Sequence, residues 1–439
     1  MICSVIICTS TKIDMKKTIE KILAGLAGRI VKKYQPKIIG ITGSIGKTSA
    51  KEAVAAVLSS KYRIRKNIKN YNNEIGLPLT IIGAEAQGKN IFGWIIVIIK
   101  GIKLLMTDIK DYPEVLVLEM GADKSGDIEY LINIAKPDVS VVTKVSPTHI
   151  EFFKSLDAIA REKRNIVTCL KDQDFAILNF DDDRVIKMSD KTKGHIISFG
   201  HNKGADVQAV EYVNLAEDGV IKGIRFKIQY KGSTVPAFLP HVIGKHQMNS
   251  ALIGAAVGLA MDMNLVDISS GLKNYVSPKG RMNVINGFKN SLIIDDTYNS
   301  SPEAAHKAVE AVANLETVTN GRKIAFMGDM MELGDISDEE HFNLGKKIAD
   351  MKFDLLVAVG TFAEKIKEGA KAGDLQNVLT FADSDLALNK VTDIIKEGDI
   401  ILVKGSQGSR MEKIVKVLMA EPDKAKDLLI RQSGDWLNR

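Results

Sequence analysis

Gly40-Ile-Thr-Gly-Ser-Ile-Gly-Lys-Thr48 is the stretch on which the reading of this chain turns. It follows a short β-branched run, Lys37 to Ile41, and precedes a helical stretch, Ser49 to Ser59. A strand, a glycine-rich turn and a helix in that order form the context a phosphate-binding loop needs. Gly43 and Gly46 let the backbone close on phosphate oxygens, with Ser44 and Ser49 on either side. Lys47 adds a mobile positive charge, and the Thr48 hydroxyl is a candidate Mg²⁺ ligand. The strict motif has glycine where Ile41 stands, so this is the variant Gly-x-x-Gly-x-x-Gly-Lys-Thr.

Outward from this loop, apolar runs rich in Ile and Val alternate with helix-length segments, which predicts an α/β fold with a mostly parallel sheet. The expected strands are Lys37 to Ile41, Val115 to Glu119, Val139 to Thr143, Leu292 to Asp295, Lys323 to Met327, Leu355 to Val359 and Ile400 to Val403. Between Phe175 and Pro240 the pattern turns to period-two alternation, clearest in Ile224 to Tyr230. Asp218-Gly219 and Lys231-Gly232 read as its turns, so a small antiparallel insert with one buried face is expected. Alanine-rich Asn249 to Met263 reads as a core helix and Val276 to Gly280 as a linker.

With 439 residues the chain exceeds one ordinary core. Hydrophobic residues make up 45% and charged residues 26%, which excludes disordered and fibrous classes. The net charge of +6 is spread along the chain, so no nucleic-acid partner is implied. Cys3, Cys8 and Cys169 form neither a metal spacing nor a disulfide framework, and a reducing cytoplasm is expected. The apolar N-terminus has no basic region ahead of it and is not read as an export signal, while Met15-Lys-Lys is the more ordinary start. Ile91 to Met106 is the most apolar stretch, but Lys100 and Lys103 cut it below the ~18 uncharged residues of a membrane span. A helix packed on its own domain is expected there. The alternative is a weak membrane-surface contact with the lysines toward headgroups.

Two further strand ends carry metal-type side chains. Glu119 closes Val115 to Leu118, and His149 follows Val139 to Thr143 by a short loop. Were these strands neighbours of the first, Thr48, Glu119 and His149 would meet at one sheet edge, where ligands of open α/β sheets bind.

The ordered motifs resemble the Mur ligase superfamily, in particular its members that add D-alanyl-D-alanine to UDP-N-acetylmuramoyl-tripeptide. The resemblance runs from about Pro36 to Leu418. It rests on Asn70 to Pro78, Glu119-Met-Gly-Ala122, Pro147 to Phe153, Asp295 to Asn299, Gly328 to Gly334 and Val403 to Ser406 with Arg410-Met-Glu412. It implies a short N-terminal segment (1–35), a central ATP-binding domain (36–278) carrying the phosphate loop and the insert, and a Rossmann-like C-terminal domain (279–439). Two Mg²⁺ ions held by Thr48, Glu119, His149 and a carbamylated Lys163 are also implied, with Lys47, Lys163 and His149 as the catalytic set. Nothing local distinguishes Lys163 from Lys154 or Arg164, so its role is what the resemblance implies. ATP contacts are implied for His246, Asn249, Arg281 and Asp296. Substrate contacts are implied for Asn72, Asn73, Glu74, Tyr298, Asn299, Asp329, Glu332, Lys404, Ser406 and Arg410.

The implied reaction is ATP-dependent amide formation through an acyl phosphate, in peptidoglycan precursor synthesis, by a monomer. Two positions depart from the family's pattern. About thirty-five residues precede the loop, where the family places a UDP-sugar-binding domain. The expectation is therefore that another surface or a separate UDP-binding partner chain holds the nucleotide sugar, or that the acceptor is a glutamyl or folate-like chain without UDP. Lys144 stands where the family has Asn, close to the expected metals. A reading from another class, a nucleotide-dependent binding protein that ligates nothing, is opposed by the complete motif set down to Lys163.

Overall fold

The computed structural model describes residues 2–68, 71–147, 150–217, 220–316, 321–434 and 436, with side chains described at all of these except 2–15, 150, 151, 216, 217 and 220. The chain divides into two compact units. The first comprises Met1–Val145, Ser155–Gln208 and Leu252–Gly271, and the second Ser146–Lys154, Ala209–Ala251 and Leu272–Arg439.

In the first unit the strands are β1 (Lys37–Thr42), β2 (Ile64–Lys66), β3 (Val115–Glu119), β4 (Val139–Val142), β5 (Phe175–Asn179) and β6 (His195–Gly200). Their order is β2-β3-β1-β4-β5-β6, and every neighbouring pair is parallel. β1, β3 and β4 are buried almost end to end, as strands covered on both faces must be, which is why they read as unbroken Ile/Val runs. Gly40 lies inside β1 rather than in the turn, where an added Cβ would fall 2.7 Å from the Pro137 ring. It is a packing glycine, and the phosphate loop proper begins at Gly43.

Phe175–Asn179 and His195–Gly200 correct the expected insert, because both continue the parallel sheet. The alternation is genuine only further along the chain, and antiparallel pairing begins beyond β6. There β7 (Val207–Glu217) starts in parallel on β6, and β8 (Val220–Tyr230) pairs antiparallel with β9 (Ser233–Pro240) in the second unit. Along β8 the side chains of Ile224, Phe226 and Ile228 are buried while Arg225 is exposed, as the alternation requires. Lys231 and Gly232 both have positive φ, 46° and 79°, which suits the two-residue turn of a hairpin. The expected turn at Asp218-Gly219 lies outside the described residues.

The expected core helix is Met248–Ala260, and from Leu252 onward it packs in the first unit, where Gly254 lies against Ala53 and Val57. Residues 2–34 form one helix. Ile91–Met106 is also helical, and only Gly93, Val97, Gly101 and Leu104 of it are buried. The expectation of a helix packed on its own domain holds for that one face. Among the described residues no helix is long and apolar enough to cross a membrane.

The remaining strands of the second unit are β10 (Asn283–Asn286), β11 (Leu292–Asp296), β12 (Lys323–Gly328), β13 (Leu355–Val359), β14 (Val378–Phe381) and β15 (Ile400–Lys404). They lie in the order β10-β11-β15-β12-β13-β14, parallel except for the antiparallel edge β10. Alternate residues of β12 enter separate cores. Ala325 and Met327 meet the helices Pro302–Ala313 and Ser337–Asp350, while Ile324 and Phe326 meet Ser384–Ile394 and Glu412–Leu418. Helices on both faces of a parallel sheet leave the carboxyl ends of its strands open for side chains that bind ligands.

Candidate active site

β1 delivers the chain to the loop, and the helix Lys47–Leu58 leaves it. Gly43 has φ 147° and Gly46, which caps that helix, has φ 84°. Both angles fall where a side chain is disfavoured. Gly43 is doubly restricted, because an added Cβ would overlap the Thr143 hydroxyl at 1.8 Å. That hydroxyl donates to the Ile45 carbonyl at 2.6 Å, and the Ser44 N–H donates to the Lys144 carbonyl at 2.7 Å. The end of β4 thus braces the loop. Lys144 does this through its backbone, so its place can be held without the asparagine of the family pattern. The Lys47 ammonium donates to the carbonyls of Gly43 at 2.7 Å and Ser44 at 3.2 Å, which keeps its charge over the loop. Thr48 and Ser49 occupy the first turn of the helix, where N–H groups and the helix dipole favour an anion.

β1 lies between β3 and β4, with Ile41 level with both Glu119 and Val141. Glu119 therefore ends its strand beside the loop. The Asn67 side chain accepts its backbone N–H at 2.5 Å, and the Asn72 amide donates to its carboxylate at 3.2 Å. Lys51 is almost wholly buried, donates to the Asn67 carbonyl at 3.0 Å and stands 4.0 Å from the Glu119 carboxylate. Asn72 is thus placed on Glu119. Asn73, in contrast, accepts the N–H groups of Ile75 and Gly76 at the start of the helix Gly76–Ile82, and Glu74 stands 3.9 Å from the Lys16 ammonium. Neither is drawn to the loop by its described contacts.

Lys163 is buried on the helix Leu156–Thr168. Burial pulls its ammonium down to about 7, the Lys47 charge adds to this, and Glu162 and Asp123 oppose it. The Glu162 carboxylate accepts the N–H groups of Gly126 and Ile128, fixing the start of the helix Asp127–Ile134. His149 lies outside the described residues. Among the described residues no group of three His, Cys, Asp or Glu is assembled for a metal. The Glu119 carboxylate and the Thr48 hydroxyl are hard oxygen donors of the kind Mg²⁺ prefers, whereas the Lys163 nitrogen is not an oxygen donor.

The second unit gathers another group at the ends of β11 and β15, where Asp296 and Lys404 are in register. The Lys404 ammonium donates to the Asp296 carboxylate at 2.6 Å and to the Asn299 carbonyl at 2.8 Å. Burial lowers the pKa of Lys404, and Asp296 works against that shift. The His246 imidazole is drawn by burial down to about 4, with Asp296 opposing and Lys307 and Lys404 reinforcing, so it is neutral at pH 7. Asn249 carries a buried side-chain oxygen with no hydrogen-bond partner among the described residues. The Arg281 guanidinium lies 4.1 Å from the centre of the Tyr298 ring. Asp329 is committed to structure, accepting the N–H groups of Thr361 and Phe362 ahead of the helix Ala363–Ala372. Its carbonyl takes the Ser406 N–H at 2.9 Å and the Ser406 hydroxyl takes the Met331 N–H at 2.9 Å, which joins the 329–334 and 404–410 segments. Glu332 is exposed in the first of these, with φ 64°.

A model described as Mur ligase middle domain matches residues 41–92 and 99–258, and one described as Mur ligase, glutamate ligase domain matches residues 280–407. The UDP-N-acetylmuramoyl-tripeptide--D-alanyl-D-alanine ligase of Bacillus subtilis is 31% identical over 91% of this chain and 79% of its own length. The chain belongs to the Mur ligase family. Among solved structures, MurF from Acinetobacter baumannii superposes with a TM-score of 0.74 at 29% identity, covering 90% of this chain and 79% of that one. A MurF ligase from Thermotoga maritima in complex with ADP also reaches 0.74, at 28% identity over 92% and 84%. This Mur ligase is accordingly an ATP-dependent enzyme that forms C–N bonds.

Several positioning groups of this Mur ligase were not singled out from the sequence. Thr143, Asn67 and Lys51 hold the first-unit site, and Glu412 and Arg431 hold the second. Glu412 is wholly buried and binds both Arg410, at 2.6 Å, and Arg431, at 3.1 Å. Arg410 also donates to the Trp436 carbonyl at 2.9 Å, and Arg431 to the carbonyls of Thr297 and Tyr298. Glu412 closes the Arg410-Met-Glu412 motif, but nothing in that motif indicates that its carboxylate also takes Arg431, 19 residues further along.

Two measurements test these assignments in this Mur ligase. Gly43→Ala introduces backbone strain of about 1–3 kcal/mol at the loop, so ADP affinity measured by calorimetry should fall about 5- to 100-fold while the far-ultraviolet dichroism is unchanged. Burial pushes the Asp295 carboxyl from 3.8 up to about 6, and one of its oxygens is buried without a hydrogen-bond partner among the described residues. Folding thus favours its protonated form, a contribution present below pH 3.8 and lost as pH rises to about 6. The denaturation midpoint of Asp295→Asn relative to wild type should accordingly rise between those pH values. A difference that does not change with pH would mean that Asp295 is not titrating there.

Proposed function

We propose that this Mur ligase joins D-alanyl-D-alanine to UDP-N-acetylmuramoyl-tripeptide through an acyl phosphate. The observation that carries this reading is the braced phosphate loop with Glu119 beside it, in a chain matched along most of its length by a Bacillus subtilis ligase of that name. The tripeptide carboxylate attacks the γ-phosphorus of ATP and ADP departs. The amine of D-alanyl-D-alanine then attacks the acyl carbon, loses a proton and expels phosphate.

Lys47 and the N–H groups of its helix spread the negative charge that builds on the transferring phosphoryl group. Glu119 and Thr48, with His149 as a further proposed ligand, would hold Mg²⁺, which would supply Lewis-acid charge neutralisation at the phosphates. Lys163 is buried at low local dielectric, where a neutral amine is available to combine with CO₂, and the resulting carbamate is the carboxylate-like ligand the family uses. In the second unit, the Asn249 oxygen, without a partner among the described residues, suits the exocyclic amine of adenine, and Arg281 suits a phosphate. Asp296, with His246 close by, is a hydrogen-bond acceptor for a ribose hydroxyl. Lys404, Ser406, Arg410, Tyr298, Asn299 and Glu332 offer donors and acceptors for the dipeptide. Asn72 serves through Glu119 rather than by reaching the acceptor, and Asp329 through the loop it anchors.

Phosphate release should require ATP, the UDP-linked tripeptide and D-alanyl-D-alanine together. Release without any amine would replace this reading with that of a nucleotide switch, and equal turnover of an acceptor without UDP would move the substrate class. Lys163→Ala should lose ligation by about 100-fold or more while ADP affinity stays within a few-fold, and added bicarbonate should not restore it.

A further inference from the structure

The helix Ile91–Met106 turns most of its apolar side chains outward. Ile91, Phe92, Ile95, Ile96, Ile99, Ile102 and Met106 are exposed, Phe92 and Met106 by 80% and Ile96 by 66%. At 3.6 residues per turn these seven fall within an arc of about 140°, and the buried Gly93, Val97, Gly101 and Leu104 occupy the opposite side. The inner face is firmly seated. An added Cβ on Gly101 would stand 3.1 Å from Leu26 of the helix Ile2–Tyr34. At the C-terminal end Lys33 and Tyr34 donate to the carbonyls of Leu104 and Thr107. At the other end the Asn90 side chain caps the helix through the Gly93 N–H, and the Trp94 indole donates to the Gly88 carbonyl. A helix held this way presents the outer face as a standing ridge. A contiguous apolar ridge of this kind marks an interaction surface rather than the scattered apolar exposure every protein shows.

The charges around the ridge identify its partner. By the same helical spacing Lys103 falls inside the arc near its Ile96 edge, and Lys100 lies beyond that edge with its ammonium donating to the Gly83 carbonyl; Lys89 and Lys110 are exposed beyond the two ends, and the helix contains no acidic residue. The nearest carboxylates in sequence, Glu85, Asp108 and Asp111, lie beyond the helix ends, and Asp108 is paired with Lys33 at 3.0 Å. In a two-fold contact with a second copy, the same patch would face itself and set lysines against lysines. An anionic lipid surface meets both features at once, because the ridge enters the boundary between headgroups and acyl chains while the lysines reach phosphates. The match to the family's middle-domain model also breaks between residues 92 and 99, inside this helix, so Ile95 and Ile96 of the ridge lie outside the matched residues.

We propose that the Ile91–Met106 ridge docks this ligase on anionic membrane surfaces as an interfacial helix that does not span the bilayer. The test is flotation of the full chain with vesicles of phosphatidylcholine alone and of phosphatidylcholine containing about one-third phosphatidylglycerol. Wild type should float with the anionic vesicles and be released by salt. Ile95→Ser/Ile96→Ser/Ile99→Ser replaces only exposed side chains, so it should keep phosphate release in solution unchanged and bind the anionic vesicles about tenfold or more weakly. Lys89→Glu/Lys103→Glu should lose the preference for anionic lipid. Flotation of the triple-serine variant equal to wild type would overturn the proposal and place any lipid contact elsewhere in the chain. Wild type that never floats, yet dimerises by light scattering while the triple-serine variant does not, would overturn it in favour of a contact between copies.

Discussion

The Thr143 hydroxyl occupies the space that a side chain on Gly43 would need, and much of the first-unit site is built on that close approach. It requires β4 to lie directly beside β1, so the phosphate loop is only as well formed as the parallel pairing of these two strands. The same neighbour relation on the other side brings Glu119 level with Ile41. A loop whose amides must point at phosphate oxygens without reorganising needs such bracing, since preorganised dipoles are effective because they do not have to be turned during the reaction.

Around this frame the molecule buries lysines, and each is handled differently. Lys51 is held by a backbone carbonyl and stands near Glu52 and Glu119. Lys404 is matched by Asp296 and the Asn299 carbonyl. Lys163 is drawn by burial down to about 7, with the Lys47 charge adding to the shift and Glu162 and Asp123 opposing it. Burying a cation is costly unless it is paired and hydrogen-bonded. Lys51 and Lys404 thus anchor carboxylates or loops, while the amine of Lys163 has a substantial neutral fraction near neutral pH.

Much of the architecture was legible because local pattern and burial agree. The Ile/Val runs at Val115–Glu119 and Leu355–Val359 are strands over the whole length their composition suggests, and the alternation at Ile224–Tyr230 is a half-buried hairpin strand. Where agreement failed, the cause is identifiable. Phe175–Asn179 and His195–Gly200 sit next to a genuinely alternating region and read as part of its antiparallel pattern, although their partners are parallel neighbours. The short edge strands Ile64–Lys66 and Val378–Phe381 are too brief and too exposed to carry a periodic signal. The apolar run Ile91–Met106 announced a helix but not which side of it would be covered, because that depends on where Leu26 and Ile82 come to lie.

By itself the sequence determined the α/β class, the glycine-rich turn between the first strand and its helix, and the family, since each depends on residues close together along the chain. Tertiary structure alone decided what each candidate side chain does. It joined Lys404 to Asp296 across 108 positions, set Asn72 on Glu119 across 47, and gave the carboxylate of Asp329 to a helix start 32 residues away. A side chain's role follows from the partner it meets, and in a parallel sheet that partner arrives on a strand or loop that the chain reaches only after a crossover.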